Sequence, residues 1–152
     1  MSDTEKPTTL AITAGYGRTI ERLVRAGKYN FANGNITSQN FPTTREGVVQ
    51  LKAVLVHFNR FIKSDDAVAE LDKLKLRAGE IHELLAFGEQ HPDEQRKYPI
   101  LALGSIVKFG DYRYFPYLSG WSGRRKANLG WWGGRCRDSC RFLAFRKKGK
   151  AL

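Results

Sequence analysis

Residues 10–87 of the chain contain three segments in which apolar residues return every three or four positions. The first lies within residues 10–27, where Thr19 can cap the N-terminus of a short amphipathic helix. The second begins with a serine and two aspartates and predicts a helix over residues 64–79. The third predicts a helix over residues 80–87 that Gly88 ends. We therefore expect two or three short helices.

The remaining apolar segments favour β-strands. Residues 48–62 fit either period, but their β-branched and aromatic content favours a long strand, buried on both faces over part of its length. Shorter strand-like segments follow at residues 100–107, 112–118, 128–132 and 141–146. Pro116 interrupts one of these segments and predicts the edge or the end of a strand. This order predicts an α+β domain with helices on a mostly antiparallel sheet, formed largely by the C-terminal half.

A polar segment over residues 28–44 is rich in asparagine, which is typical of turns, and also carries glycine and proline. Four apolar side chains are expected to anchor this loop to the core, namely Tyr29, Phe31, Ile36 and Phe41. We expect residues 1–9 to be a disordered lead, residues 10–148 a single globular domain, and residues 149–152 a basic tail. The polar N-terminus does not have the pattern of a signal peptide, and no apolar run reaches the length of a membrane span, so we expect a cytoplasmic location.

Charge and aromatic residues are concentrated in the last third of the chain. The 152-residue protein has a formal net charge of +11, and residues 108–152 account for +10, with twelve Lys and Arg side chains and two Asp side chains. The same stretch holds all three tryptophans and both cysteines. A basic balance of this size favours acidic partners such as an acidic protein, another anionic macromolecule or nucleic acid.

Arginine, lysine and tryptophan are interleaved at two places in this stretch. The mixture suits stacking on bases combined with neutralisation of phosphates, and it equally suits a protein interface. Because side chains alternate along a strand, we expect Trp131 and Trp132 to face away from each other. The candidate binding residues are Trp121, Arg124, Arg125, Lys126, Trp131, Trp132, Arg135 and Arg137.

Residues 67–87 contain a helix pattern, a turn with Leu-Arg-Ala-Gly and a second helix carrying Glu-Leu-Leu. With residues 98–105 and 141–146, this stretch resembles a group of small uncharacterised bacterial proteins, which is in turn similar to the C-type-lectin-like fold. The resemblance covers residues 64–148 and implies two helices before a Gly- and Trp-rich set of strands. Ala78 stands where the group has a proline, and a shared scaffold does not determine function.

Metal sites are not expected from the sequence. Calcium takes about six or more oxygen ligands, whereas Asp111, Asn128 and Asp138 are spread among arginines. Cys136 and Cys140 form one Cys-x₃-Cys pair without the second pair or the nearby histidines that zinc sites usually have. We assign no cofactor and no catalytic residue.

These observations leave three functional hypotheses. The first is a non-enzymatic binding module that presents the Trp/Arg-rich surface to an acidic protein or another anionic macromolecule. The second is a nucleic-acid-binding protein that uses the same residues. The third is an enzyme in which Cys136 or Cys140 is reactive, because neighbouring arginines can lower the pKa of a thiol.

Overall fold

A computed structural model describes residues 7–147 of the chain, which form four helices and eleven strands. The helices are α1 (Ile20–Gly27), α2 (Ser64–Lys73), α3 (Ile81–Gln90) and α4 (Glu94–Lys97). The strands are β1 (Thr8–Gly15), β2 (Phe31–Ala32), β3 (Val48–Val56), β4 (Ile62–Lys63), β5 (Leu76–Ala78), β6 (Ile100–Leu101), β7 (Val107–Phe109), β8 (Tyr112–Trp121), β9 (Arg124–Trp131), β10 (Arg135–Cys136) and β11 (Arg141–Arg146).

One nine-stranded sheet organises the described residues. Its order is β1-β3-β11-β6-β8-β9-β2, and β5 and β7 add to it by pairing with β11 and β8. Only the β11–β6 and β2–β9 pairs are parallel within this sheet. Strands β10 and β4 form a separate two-stranded ladder. The prediction of an α+β domain with a mostly antiparallel sheet, dominated by the C-terminal half, is confirmed.

Two hydrophobic cores lie on opposite faces of the sheet, because neighbouring residues of a strand point in opposite directions. The first core lies under α1 and α3 and includes Leu23, Leu55, Leu84, Leu118 and Leu143. The second core lies under α2 and residues 132–140 and includes Val56, Leu71, Phe115, Trp132 and Phe142. No residue of β9 or β2 belongs to the second core in the described part of the chain. These two outer strands are therefore covered on the first-core face only.

A buried carboxylate joins α3, β5 and the turn after β1 beside the first core. Glu83 of α3 is 0% exposed, and Arg77 of β5 donates to both of its oxygens at 3.0 and 2.7 Å. The Tyr16 hydroxyl donates to the same carboxylate at 2.6 Å, and the Glu80 N–H donates at 2.9 Å. Burial alone would raise the pKa of Glu83, but the hydrogen bonds from Arg77, Tyr16 and Glu80 together hold it below its usual value.

Several local predictions are confirmed. Thr19 caps α1 through a hydrogen bond from the Arg22 N–H. The long strand predicted over residues 48–62 is confirmed for residues 48–56, which form β3, and the last four residues of β3 are all buried, as expected for a strand between two cores; the strand ends six residues earlier than predicted. Strand β11 has the predicted bounds.

The prediction of one helix over residues 64–79 is wrong. Helix α2 ends at Lys73, Lys75 adopts a positive φ of 65°, and β5 then pairs with β11. The apolar spacing in this segment also suits a short strand, and pairing with the last strand decides between them. The local sequence does not identify this partner strand, because it lies about 70 positions further along the chain.

Three further boundaries differ from the prediction. Gly88 lies inside α3 and does not end it. The glycine instead leaves room for Tyr29, because a Cβ at this position would overlap the Tyr29 hydroxyl. The expected strand over residues 100–107 is divided between β6 and β7. Pro116 lies inside β8, and its carbonyl accepts from the Ala102 N–H at 3.0 Å, just beyond the end of β6. The proline nitrogen, which has no N–H, points to the same side as this carbonyl, so the pairing of β8 with β9 is intact.

The N-terminal region contributes more structure than predicted. Strand β1 begins at Thr8, so residues 8 and 9 belong to the sheet and not to a disordered lead.

Helix α4 was also not predicted. The expected tail, residues 149–152, lies outside the described residues. Within residues 7–147, no helix has the length and apolar character needed to cross a membrane.

Candidate binding surface

The β8–β9 hairpin carries most of the predicted binding residues. Its turn consists of Ser122 and Gly123, both with positive φ, which is the backbone geometry that two-residue hairpin turns prefer. The turn places Trp121 directly opposite Arg124. Arg96 of α4 donates from Nε to the Gly123 carbonyl at 3.0 Å and ties the helix to the turn. The hairpin tip is therefore held in place by its own two-residue turn and by helix α4.

Side-chain alternation divides the hairpin tip between the two faces of the sheet. Ala127 is in the first core, so its neighbour Lys126 points to the opposite face. On that face the Lys126 ammonium lies 5.5 Å from the centroid of the Trp121 ring. Trp121 is 40% exposed, and Arg124 opposite it is also exposed. These side chains share the face that α2 and residues 132–140 leave uncovered.

Phe31 extends this surface across the next strand. It pairs with Lys126 in the parallel β2–β9 ladder and is 47% exposed. The sequence predicted that Phe31 anchors a loop to the core, and that prediction is wrong, whereas Ile36 and Phe41 are buried as expected. We call Phe31, Trp121, Arg124 and Lys126 the tip surface.

A row of polar side chains borders the tip surface on the same face. Asn33 donates from its side-chain amide to Asn128 Oδ1 at 2.9 Å, and Asn128 Oδ1 also accepts from the Leu129 N–H. Tyr117 lies opposite Asn128 in the hairpin. Burial raises the pKa of Tyr117, while its hydrogen bond with Asn128 acts in the other direction. We call Asn33, Asn128 and Tyr117 the polar row.

The positive charges of the tip surface are not neutralised by nearby acids. The acidic residues of α4 and its N-cap are already paired, Asp93 with Arg96 and Glu94 with Lys97. Among residues 7–147, neither Arg124 nor Lys126 takes part in an ion pair. The surface thus combines two exposed aromatic rings with two unpaired cations.

Arg125 must be removed from the predicted surface, because it is only 4% exposed. Its guanidinium donates to the carbonyls of Gly27, Gly88 and Pro92 at 2.6, 2.7 and 3.0 Å and lies 4.6 Å from the centroid of the Tyr29 ring. The first two carbonyls are in the last turns of α1 and α3, where no intrahelical donor exists. Burial lowers the pKa of Arg125. Arg125 thus closes two helix ends onto the hairpin.

Trp132 is also buried, as part of the second core. Its indole N–H donates to Asp65 at 3.1 Å, its ring meets Phe115 edge to face at 6.3 Å, and the Arg113 guanidinium lies 5.4 Å from it. Trp131 is 53% exposed and points the other way, as alternation predicted. Only one of these two tryptophans is accessible to a partner.

Trp131 lies at the opposite end of the hairpin from Trp121. It lies seven positions along β9 from Arg124, a distance of about 23 Å along an extended strand. It pairs with Tyr114 and contacts Tyr112 at a ring separation of 6.2 Å, on the first-core face. The predicted residues therefore do not form one continuous patch.

Arg135 and Arg137 lie in the segment that covers the second core. The Arg135 guanidinium is 5.6 Å from the centroid of the exposed Phe61 ring, and Arg135 pairs with Lys63 in the short β10–β4 ladder. Arg137 is exposed and begins a turn that closes on the Cys140 N–H. They are basic surface residues outside the hairpin, so Trp121, Arg124 and Lys126 are the predicted residues that the tip surface brings together.

Neither cysteine has the environment of an activated thiol. Cys136 and Cys140 are both free and buried in the second core. Burial raises the pKa of Cys136 to about 11 and also raises that of Cys140, with the opposing influence of Arg137 and Arg141 too small to reverse it. In addition, within residues 7–147 no three His, Cys, Asp or Glu side chains are grouped so that they could hold a metal ion.

Comparison of the chain with protein-family models, curated proteins and solved structures finds no match. The resemblance to small bacterial proteins and to the C-type-lectin-like fold stays a prediction.

Proposed function

We propose that the protein is a binding module that presents the tip surface to an anionic macromolecule. The observation that carries this proposal is Lys126 over the exposed Trp121 ring, on a sheet face without a covering layer. Aromatic rings next to Arg and Lys provide both contact area and charge for a partner. The neighbouring Arg124 adds a second cation in the same place.

The charge distribution favours an anionic partner over a neutral one. The chain carries a formal charge of +11, and the acids of α4 and its N-cap, next to the hairpin turn, are already paired with Arg96 and Lys97. An approaching polyanion would therefore meet Arg124 and Lys126 without competition from internal carboxylates. A cysteine-dependent reaction has no comparable support, because a thiol with a pKa of about 11 is protonated at neutral pH.

Charge reversal at the tip tests this proposal. We expect the double variant R124E/K126E to bind labelled heparin and poly-L-glutamate at least about tenfold more weakly than the unmodified protein, since each pair of opposite charges becomes repulsive. Fluorescence anisotropy at low salt measures the affinity. The matched control is K52E/K108E, which changes the net charge equally at exposed lysines away from the tip. Equal losses in the two double variants would mean that only net charge matters, and the proposal would be wrong.

A further inference from the structure

We infer that the macromolecule is a single-stranded nucleic acid whose bases stack on Trp121 and Phe31, an inference that rests on the proposed function. The two rings lie on the same face of adjacent parts of the sheet, with Lys126 between them. Strand spacing and the two-residue offset put their Cα atoms about 12 Å apart. This separation lets each ring take its own base while the cation between them faces the connecting backbone.

The arrangement of charge matches a strand of phosphates. Arg124 and Lys126 follow one another along the exposed side of β9, because residues two apart on a strand share a face. Their two cations therefore lie one after the other along β9, beside the two rings. Single-strand binding surfaces combine such a line of cations with aromatic rings on which bases stack.

The polar row supplies hydrogen-bonding groups next to the stacking rings. After its bond to Asn128, the Asn33 amide has a second N–H that can reach a base edge. The hydrogen bonds among Asn33, Asn128 and the Leu129 N–H hold both amides in place before a ligand arrives. An acidic polypeptide such as poly-L-glutamate has no flat bases that could stack on the two rings.

The shape of the surface favours a single strand over a duplex. Reading a duplex needs an element that enters a groove, such as a helix or a two-stranded ribbon. Here the rings stand on the open face of a sheet, where only unpaired bases can lie flat against them. A duplex can still meet Arg124 and Lys126 through its phosphates, so it is expected to bind more weakly and without stacking.

Binding of the full-length protein to oligonucleotides tests the inference. The probes are oligothymidylate and oligouridylate of about twelve nucleotides, within the site sizes of known single-strand binders, a duplex of the same length, and poly-L-glutamate. We expect the single strands to bind most tightly and to quench tryptophan fluorescence. Removing one stacking ring in W121A is expected to weaken binding about tenfold, whereas W131A, which removes the other exposed tryptophan of the same hairpin, is expected to change it less than about twofold.

Two further variants separate stacking from charge. F31A is expected to weaken single-strand binding as W121A does, while leaving the salt dependence unchanged. K126A is expected to reduce the slope of log K against log salt concentration by about 0.7, the value for one phosphate contact with a single strand. The matched control K108A is expected to leave that slope unchanged. Thermal melting of each variant checks that it is folded.

The possible outcomes distinguish the inference from the proposed function. If poly-L-glutamate binds as tightly as the oligonucleotides and W121A has no effect, the nucleic-acid inference is overturned while the binding module stands. The same holds if the duplex binds as tightly as the single strands with no quenching. If none of the probes binds at low salt, both are wrong.

Discussion

Neighbouring residues Arg125 and Lys126 have opposite surroundings, and the difference separates the two faces of the hairpin. Arg125 points to the first-core face, where three carbonyls and the Tyr29 ring surround its guanidinium. Lys126 points to the uncovered face, where its contact is the exposed Trp121 ring. A cluster of basic residues in a sequence can thus contain both a structural cation and a cation available to a partner.

The tryptophans show the same separation. Trp132 is fixed in the second core by its bond to Asp65, whereas Trp121 and Trp131 remain exposed at opposite ends of the hairpin. Only Trp121 lies beside a cation of the tip surface. Burial, and not residue type, decides which of these side chains stabilise the fold and which can contact a partner.

Among the substitutions that test the difference between Arg125 and Lys126, the largest loss of stability is expected at Arg125. We expect R125M to lower the free energy of unfolding by about 4 kcal/mol, because it leaves three carbonyls, those of Gly27 and Gly88 buried, without their charged donor. K126M, at the adjacent half-buried position, is expected to change it by less than about 0.5 kcal/mol. Urea denaturation of both variants measures the difference. Similar losses at the two positions would contradict the assignment of separate roles.

The next largest loss of stability is expected for a substitution at Glu83, and this loss is expected to depend on pH. We expect E83Q to lose about 3 kcal/mol of stability at pH 7, because it breaks a buried ion pair with Arg77. The folded-state pKa of Glu83 is below its usual value of 4.5, so its contribution is present above pH 4.5 and is lost as the pH falls below that value.

Urea denaturation across pH 3 to 7 measures this dependence. The stability of the unmodified protein is expected to fall more steeply than that of E83Q below pH 4.5, so the two curves approach each other. A constant difference over the whole range would mean that the Glu83 carboxyl does not titrate at a lowered pKa. E46Q, at an exposed carboxyl in the loop before β3, serves as the control.

The smallest effect concerns the adjacent tryptophans. W132F is expected to cost about 1–2 kcal/mol, because the Asp65 hydrogen bond and part of the buried ring are lost. W131F is expected to stay within about 0.5 kcal/mol, as for other exposed positions. Thermal or urea unfolding distinguishes them, and a larger loss for W131F would reverse the assignment of the buried ring.

Elements defined by local patterns could be predicted from the sequence. The cap at Thr19 and the strand β11 depend on residues close to each other in the chain, and both are confirmed. Strand β5 and the need for a glycine at position 88 depend on partners that are distant in sequence, β11 and Tyr29. Composition and spacing carry no information about such partners, so these features were predicted wrongly.

The candidate site was predicted in part for the same reason. Trp121, Arg124 and Lys126 were identified by their residue types, but the start of β9 was not, so alternation could not be applied to Arg125. Had the strand been known to begin at Arg124, alternation would have placed Arg125 on the opposite face. Phe31 carried no local signal, since β2 has only two residues and pairs with a strand about 95 positions away.

The two-residue turn at Ser122 and Gly123 makes the hairpin tip intolerant of changes in chain length. Exposed turns usually accept insertions such as tags or grafted loops. A single inserted residue that moved the register by one position would turn Lys126 toward the helix ends and Arg125 toward solvent. The length of this turn is therefore as important to the tip surface as the identity of its side chains, and insertions are better placed elsewhere.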